Sequence, residues 1–206
     1  MQEVLQAIDA APSLDERLKR ITDGATQRQS VAKFFEAHAA GIKVGAVDSN
    51  VGFFNELPSG EDVKLFLAIT ASCPSGAMVR LRGTGDKAQL DWPLFEQTHQ
   101  MEFDRFVLDG EAAPRWFSVI CARSRTNELS GSSKDAYLAL RAQGSLSLRG
   151  EGLLYVKKES PAGKFLDSRM VWGRGYLIKA LIQHGKLDEK AVMTLEDCEG
   201  AAAAAK

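Results

Sequence analysis

From residue 42 onward the hydrophobic period of this chain changes from that of a helix to that of a strand, which restricts it to folds that combine both. Before the change, Ser13 and Glu16 form a capping box, and Leu14, Leu18 and Ile21 fall on one helical face that closes at Gly24. A second helix is expected from about Thr26 to Ala40, with Val31, Phe34 and Phe35 on its apolar stripe and Gly41 at its end. After the change, Val63, Leu65, Leu67 and Ile69 alternate with Lys64, Phe66, Ala68 and Thr70. Val79 and Leu81 then alternate with Arg80 and Arg82 beyond the turn-forming Cys73-Pro74-Ser75-Gly76. Residues 42–48 and 51–56 are shorter candidate strands joined by Asp48-Ser49-Asn50.

Asp91 before Trp92-Pro93 predicts a capped helix to about Phe106, and residues 116–122, apolar on both faces, predict a central strand. Between 136 and 158, AYLALRA, SLSLR and GLLYVKK read as three strands, with a helix over 133–143 capped by Ser132 or Ser133 as the rival reading. YLIKALIQHG is read as a docking helix ending at Gly185, and LDEKAVMTLED as a shorter amphipathic helix. The expected architecture is α+β, an antiparallel meander flanked by N-terminal and C-terminal helices. At 206 residues this is read as a single domain over 1–199, followed by an Ala-rich tail at 200–206 that is a frayed helix end or a cloning remnant.

Hydrophobic residues make up 45% and charged residues 26%, as in globular proteins, and no stretch resembles a signal peptide or a membrane span. A cytoplasmic protein with no membrane association is expected. The three cysteines, Cys73, Cys121 and Cys198, are widely spaced with no CxxC, which argues against a disulfide framework and a zinc site.

Catalytic templates fit poorly. Only His38, His99 and His184 are available for acid-base or metal chemistry. Glu96-x-x-His99-x-x-Glu102 has the spacing of a carboxylate-bridged metal helix, but such sites need a second copy, and Glu36-x-His38 points its side chains apart. Gly83-Thr84-Gly85-Asp86-Lys87 lacks the spacing and hydroxyl of a phosphate loop, and Gly173-Arg174-Gly175 lacks the third glycine of a dinucleotide fingerprint. No GxSxG is present. The expectation is a binding protein, with no catalytic residue, metal or cofactor. Residues 180–195 outline a helix-turn-helix, but Asp188, Glu189, Glu196 and Asp197 would repel phosphate, so helical packing is the better reading.

The net charge of −1 conceals an uneven distribution. Residues 1–114 carry 11 basic against 17 acidic side chains, residues 115–186 carry 13 against 5, and residues 187–206 carry 2 against 5. A basic block interleaved with Trp116, Tyr155, Trp172 and Tyr176 has the composition of an interface hot spot and equally of a single-strand nucleic-acid platform. The favoured binding residues are Arg169, Trp172, Arg174, Tyr176 and Lys179, where Gly173 and Gly175 punctuate a turn expected to enter a helix, together with Arg123, Arg125, Lys157 and Lys158. The expected partner is a protein with an acidic surface; nucleic acid is the second choice.

The stretch RMVWGRGYLIKALIQHGKLDEKAVMTL, with the size of the chain and its lack of catalytic motifs, resembles the fertility-inhibition proteins that some conjugative plasmids carry against rival plasmids. That resemblance implies a monomeric inhibitor that binds the coupling ATPase of another plasmid's type IV secretion machinery and so blocks conjugative DNA transfer. It assigns no residue roles.

Overall fold

The computed structural model describes residues 1–110, 113–125, 129–146 and 151–204. The chain, read from sequence as one domain, packs as two compact units: Met1–Gly52 with Lys64–Gln100, and Phe53–Val63 with Met101–Lys206.

The first unit begins with three helices, α1 (Gln2–Ala10), α2 (Leu14–Leu18) and α3 (Gly24–Ala37). The Ser13 half of the expected capping box forms, with Ser13 Oγ accepting from Glu16 N at 3.3 Å, while the Glu16 carboxylate accepts from Lys19. β1 (Val44–Glu56) is one continuous strand where two short ones were expected, and the residues of β1 and of β2 (Asp62–Thr70) are divided between the two units at Gly52 and Lys64. Asp48-Ser49-Asn50 does not break it. β2 pairs antiparallel with β3 (Ala77–Val79), Phe66 opposite Val79, around the expected turn, where Gly76 holds a positive φ of 88°. β4 (Leu81–Arg82) pairs with β5 (Gln89–Leu90). α4 (Trp92–His99) is capped by Asp91. The core of this unit is Leu5, Ile8, Ile21, Val31, Phe34, Leu90, Trp92 and Phe95.

The helix expected to reach Phe106 is broken at Met101, whose φ is +53°, and restarts as α5 (Glu102–Asp109) in the second unit. β6 (Arg115–Ser124) is the expected central strand. Of the rival readings, the strands prevail: a short α6 (Gly131–Ala136) ends where β7 (Tyr137–Gln143) begins, so the helix expected over 133–143 is corrected beyond Ala136; β8 (Glu151–Lys157) follows, and most of the expected SLSLR strand lies outside the described residues. α7 (Pro161–Arg169) is next, then β9 (Tyr176–Leu187), β10 (Lys190–Cys198) and the four-residue α8 (Ala201–Ala204).

The expected C-terminal helices are therefore corrected to a strand hairpin, and the helix-turn-helix outline falls with them. Residues 176–187 are apolar at both the helical and the strand period. Pairing decides between the two: seven residues of β9 pair with β6 and eight pair with β10. The antiparallel meander is corrected as well, because the sheet is mixed: β8 and β10 run parallel, as do the end of β1 and the start of β9.

Five of these strands close a ring, in the order β6-β7-β8-β10-β9 and back to β6. Counted within the unit, that is 1-2-3-5-4, a Greek-key barrel with α7 between its third and fourth strands. Strand alternation points Phe117, Val119, Leu140, Leu154, Ile178, Ile182 and Met193 into one core, to which α7 adds Phe165 and Leu166. Ala201 of the expected tail is fully buried in the same cluster. No helix among the described residues is long and apolar enough to cross a membrane.

Candidate binding groove

A groove of about 420 Å³ opens on the second unit where the end of β6, the start of β7, the residue after β8 and the turn after α7 converge. Among the described residues its wall carries the cations Arg123, Arg125, Lys134 and Lys158 against the carboxylate of Asp167. Tyr137 and Trp172 add aromatic rings, and Leu138, Leu166 and Met170 supply an apolar floor. Arg123 is held in place, its guanidinium donating to both the main-chain and side-chain oxygens of Asp167. Arg125 is exposed on the rim, whereas Arg123 is partly buried.

Sequence chemistry builds the turn that carries Trp172. Ser160 caps α7, its Oγ accepting from Gly163 N at 3.0 Å, and Pro161 takes the first turn, where its missing N–H costs nothing. After the helix, Tyr176 is buried at 3% exposure, and its hydroxyl accepts from Val171 N at 2.8 Å. Gly173 supplies a φ of +78° that side-chain-bearing residues rarely adopt. The result displays Trp172 at 58% exposure beside the groove. A large indole left in water at a cationic cleft is better suited to gaining a partner than to supporting the fold.

The structure gathers Arg123, Arg125, Lys158 and Trp172 from the expected set into one site. Tyr176 is corrected from a binding residue to a buried support of the turn, and the turn enters a strand, not a helix. Arg169 and Arg174 are exposed but do not line the groove. Lys157 points from the outer face of β8, paired in register with Tyr137. Lys179 lies elsewhere, its Nζ 5.9 Å from the Trp116 ring centre beside a separate depression shared with Glu199. Arg149 of the basic block falls outside the described residues. Sequence reasoning missed Lys134 and Tyr137, and also α7. For α7 the signal was present in Ser160-Pro161; for the other two it lay in the junction of α6 with β7.

The other reactive groups singled out from the sequence lie outside the groove. His99 packs edge-on to Phe34 and His38 and tilted against Phe95, with Nε2 3.0 Å from Ser72 Oγ and Nδ1 buried without a hydrogen-bond partner among the described residues. Burial, reinforced by the nearby His38, pulls its pKa down to about 4. A proton is best accommodated on Nε2, where hydroxyls accept it, so this imidazole donates to Ser72 and is no base for it. Glu96 accepts from Ser30, and Glu102 pairs with Arg115 at 3.2 Å. Among the described residues no group of three His, Cys, Asp or Glu side chains is placed to hold a metal. All three cysteines are buried. Burial, with the neighbouring Asp197, pushes the Cys198 thiol up to about 12, and burial beside Cys198 pushes Cys121 up further.

Comparison with protein-family models, with curated proteins and with solved structures finds no match to this chain.

Proposed function

We propose that this protein binds single-stranded nucleic acid without catalysis, through the groove of its second unit. The observation that carries the reading is the coincidence of four cations, Tyr137 and an exposed Trp172 in one cleft, at the connection between the first and second strands of a 1-2-3-5-4 barrel. Five-stranded Greek-key barrels of this kind bind oligonucleotides and oligosaccharides on their second and third strands and the adjoining loops. Fold alone does not assign function, and here the side chains argue for a nucleic acid: cations track phosphates, and exposed rings stack on unpaired bases. Stacking of that kind requires bases outside a duplex, which favours a single strand.

Fluorescence anisotropy with a labelled 12-nucleotide oligothymidylate and a matched duplex, over a salt series, tests the proposal. The single strand is expected to bind more tightly than the duplex, with log affinity falling by about 0.7 per decade of salt for each phosphate neutralised. Absence of single-strand binding at about 50 mM salt, where electrostatic contacts are strongest, overturns it.

A second reading is a protein partner with an acidic surface, such as the coupling ATPase implied by the resemblance to fertility-inhibition proteins. It is favoured by Val171, exposed at 58% next to Trp172, since an aliphatic side chain adds to a protein interface and little to base stacking.

A further inference from the structure

The outer face of β7 and β8 is covered. Strand alternation places Tyr155 and Lys157 of β8 and Tyr137, Ala139 and Arg141 of β7 on the side opposite the barrel core, with Ala139 opposite Tyr155 and Tyr137 opposite Lys157. This is a surface of rings and cations continuous with the groove through Tyr137. Yet Tyr155 is only 2% exposed, because it clusters with Leu129 and Ala139, and Tyr137, Leu153, Leu187 and Val192 pack against that cluster.

A single carboxylate secures that cover. Asp188, in the turn between β9 and β10, accepts from Ser130 N at 3.1 Å and Ser130 Oγ at 3.2 Å with one oxygen, and from Ser133 Oγ at 2.6 Å with the other. Both serines adjoin Leu129 or lie within α6, whose GSSKDA sequence is a poor helix former and cannot hold the segment unaided. All three hydrogen bonds are exposed to water, which competes for them.

We infer that the clasp of Asp188 on Ser130 and Ser133 is a gate on the proposed nucleic-acid site: it keeps Leu129 seated on Tyr155, and a strand long enough to run past the groove displaces Leu129 and stacks on the uncovered Tyr155. The inference rests on the reading of the groove as a single-strand site. A short strand is satisfied within the groove and leaves the clasp closed. A long one binds a state only partly populated in the free protein, so its apparent affinity is lowered by that fraction.

The test measures binding of a 4-nucleotide and a 12-nucleotide oligothymidylate, spanning much of the range of about 4–16 nucleotides that such barrels cover. Asp188→Ala is expected to tighten the 12-mer by about fivefold or more, as the population penalty is removed, and to leave the 4-mer unchanged. Adding Tyr155→Leu to Asp188→Ala is expected to abolish the gain. In parallel, a cysteine placed by Leu129→Cys reports opening directly, since the three native thiols are buried. Its alkylation is expected to be faster with Asp188→Ala than with Asp188. An unchanged or weakened 12-mer affinity in a folded Asp188→Ala protein, or an equal alkylation rate, overturns the gate and leaves the groove standing. If the parent protein binds neither oligonucleotide, the reading of the groove fails and the inference fails with it.

Discussion

The hydroxyl of Tyr176 accepts a 2.8 Å hydrogen bond from the backbone N–H of Val171, so a buried ring fixes the turn that exposes the neighbouring Trp172. Tyr176→Phe keeps the ring in the core and leaves that N–H without its protein partner. A stability loss of about 1 kcal/mol is expected by denaturant melt, along with weaker single-strand binding as the turn loosens. Unchanged affinity would show that the turn holds its shape without the tyrosine.

Trp172→Ala separates support of the fold from recognition. A core tryptophan would cost about 3–5 kcal/mol on truncation, but one this exposed should shift the melt by less than about 1 kcal/mol. Loss of a stacked base should cost about 1–3 kcal/mol of binding. A collapsed melting temperature would place the indole in the core.

Arg123 and Arg125 should respond differently although both line the groove. Arg123 is pinned on Asp167, so Arg123→Ala is expected to cost both stability and affinity. Arg125→Ala should leave the melt in place and reduce the salt slope by about 0.7, the contribution of one single-strand phosphate. An unaltered slope removes Arg125 from the phosphate path.

His99 makes the first unit acid-sensitive. Its folded pKa of about 4 lies below the ordinary 6.5, so protonation favours the unfolded chain. The stabilising effect is complete above about pH 6.5 and is lost as pH falls towards 4, up to about 3 kcal/mol. Urea melts between pH 7.5 and 4 should show that decline in the parent and a flatter profile in His99→Gln; parallel profiles would assign the acid loss to other groups.

Asp104 has the opposite sign. Burial raises its pKa against the partial compensation of a Ser145 hydrogen bond, and its Oδ1 is buried without a partner among the described residues. Its folded form holds the proton better than the unfolded chain does, so its contribution is most favourable in acid and falls as pH rises through the carboxylate range. Asp104→Asn is expected to stabilise the protein at pH 7 by about 1 kcal/mol and by less at pH 4. Destabilisation at pH 7 would mean that the charge is used.

Local signals in the sequence located most elements correctly. The Ser13 cap, the Asp91 cap, the Cys73–Gly76 turn and the β6 core strand each depend on residues within a few positions of one another. What local reading could not settle was β9 and β10. In YLIKALIQ, helical and strand periods both collect apolar residues, and the choice falls to pairing with β6, some 60 residues earlier. The site followed the same division. The basic, aromatic character of residues 115–186 was visible, whereas the meeting of Arg123, Lys134, Lys158 and Trp172 depends on barrel closure. Trp172 was ambiguous because Val171 and Leu177 flank it; in the structure Val171 faces water and Leu177 is buried.

Closure of the barrel also restricts how any partner can be read. A strand inside a ring has neighbours along both edges, so over the paired stretches of β6 to β10 no row of amides and carbonyls remains for an incoming strand to extend. Main-chain recognition tolerates most substitutions, because every residue offers the same groups. On the proposed function, recognition by the paired stretches of this barrel therefore falls to individual side chains, and single replacements among them would suffice to redirect it.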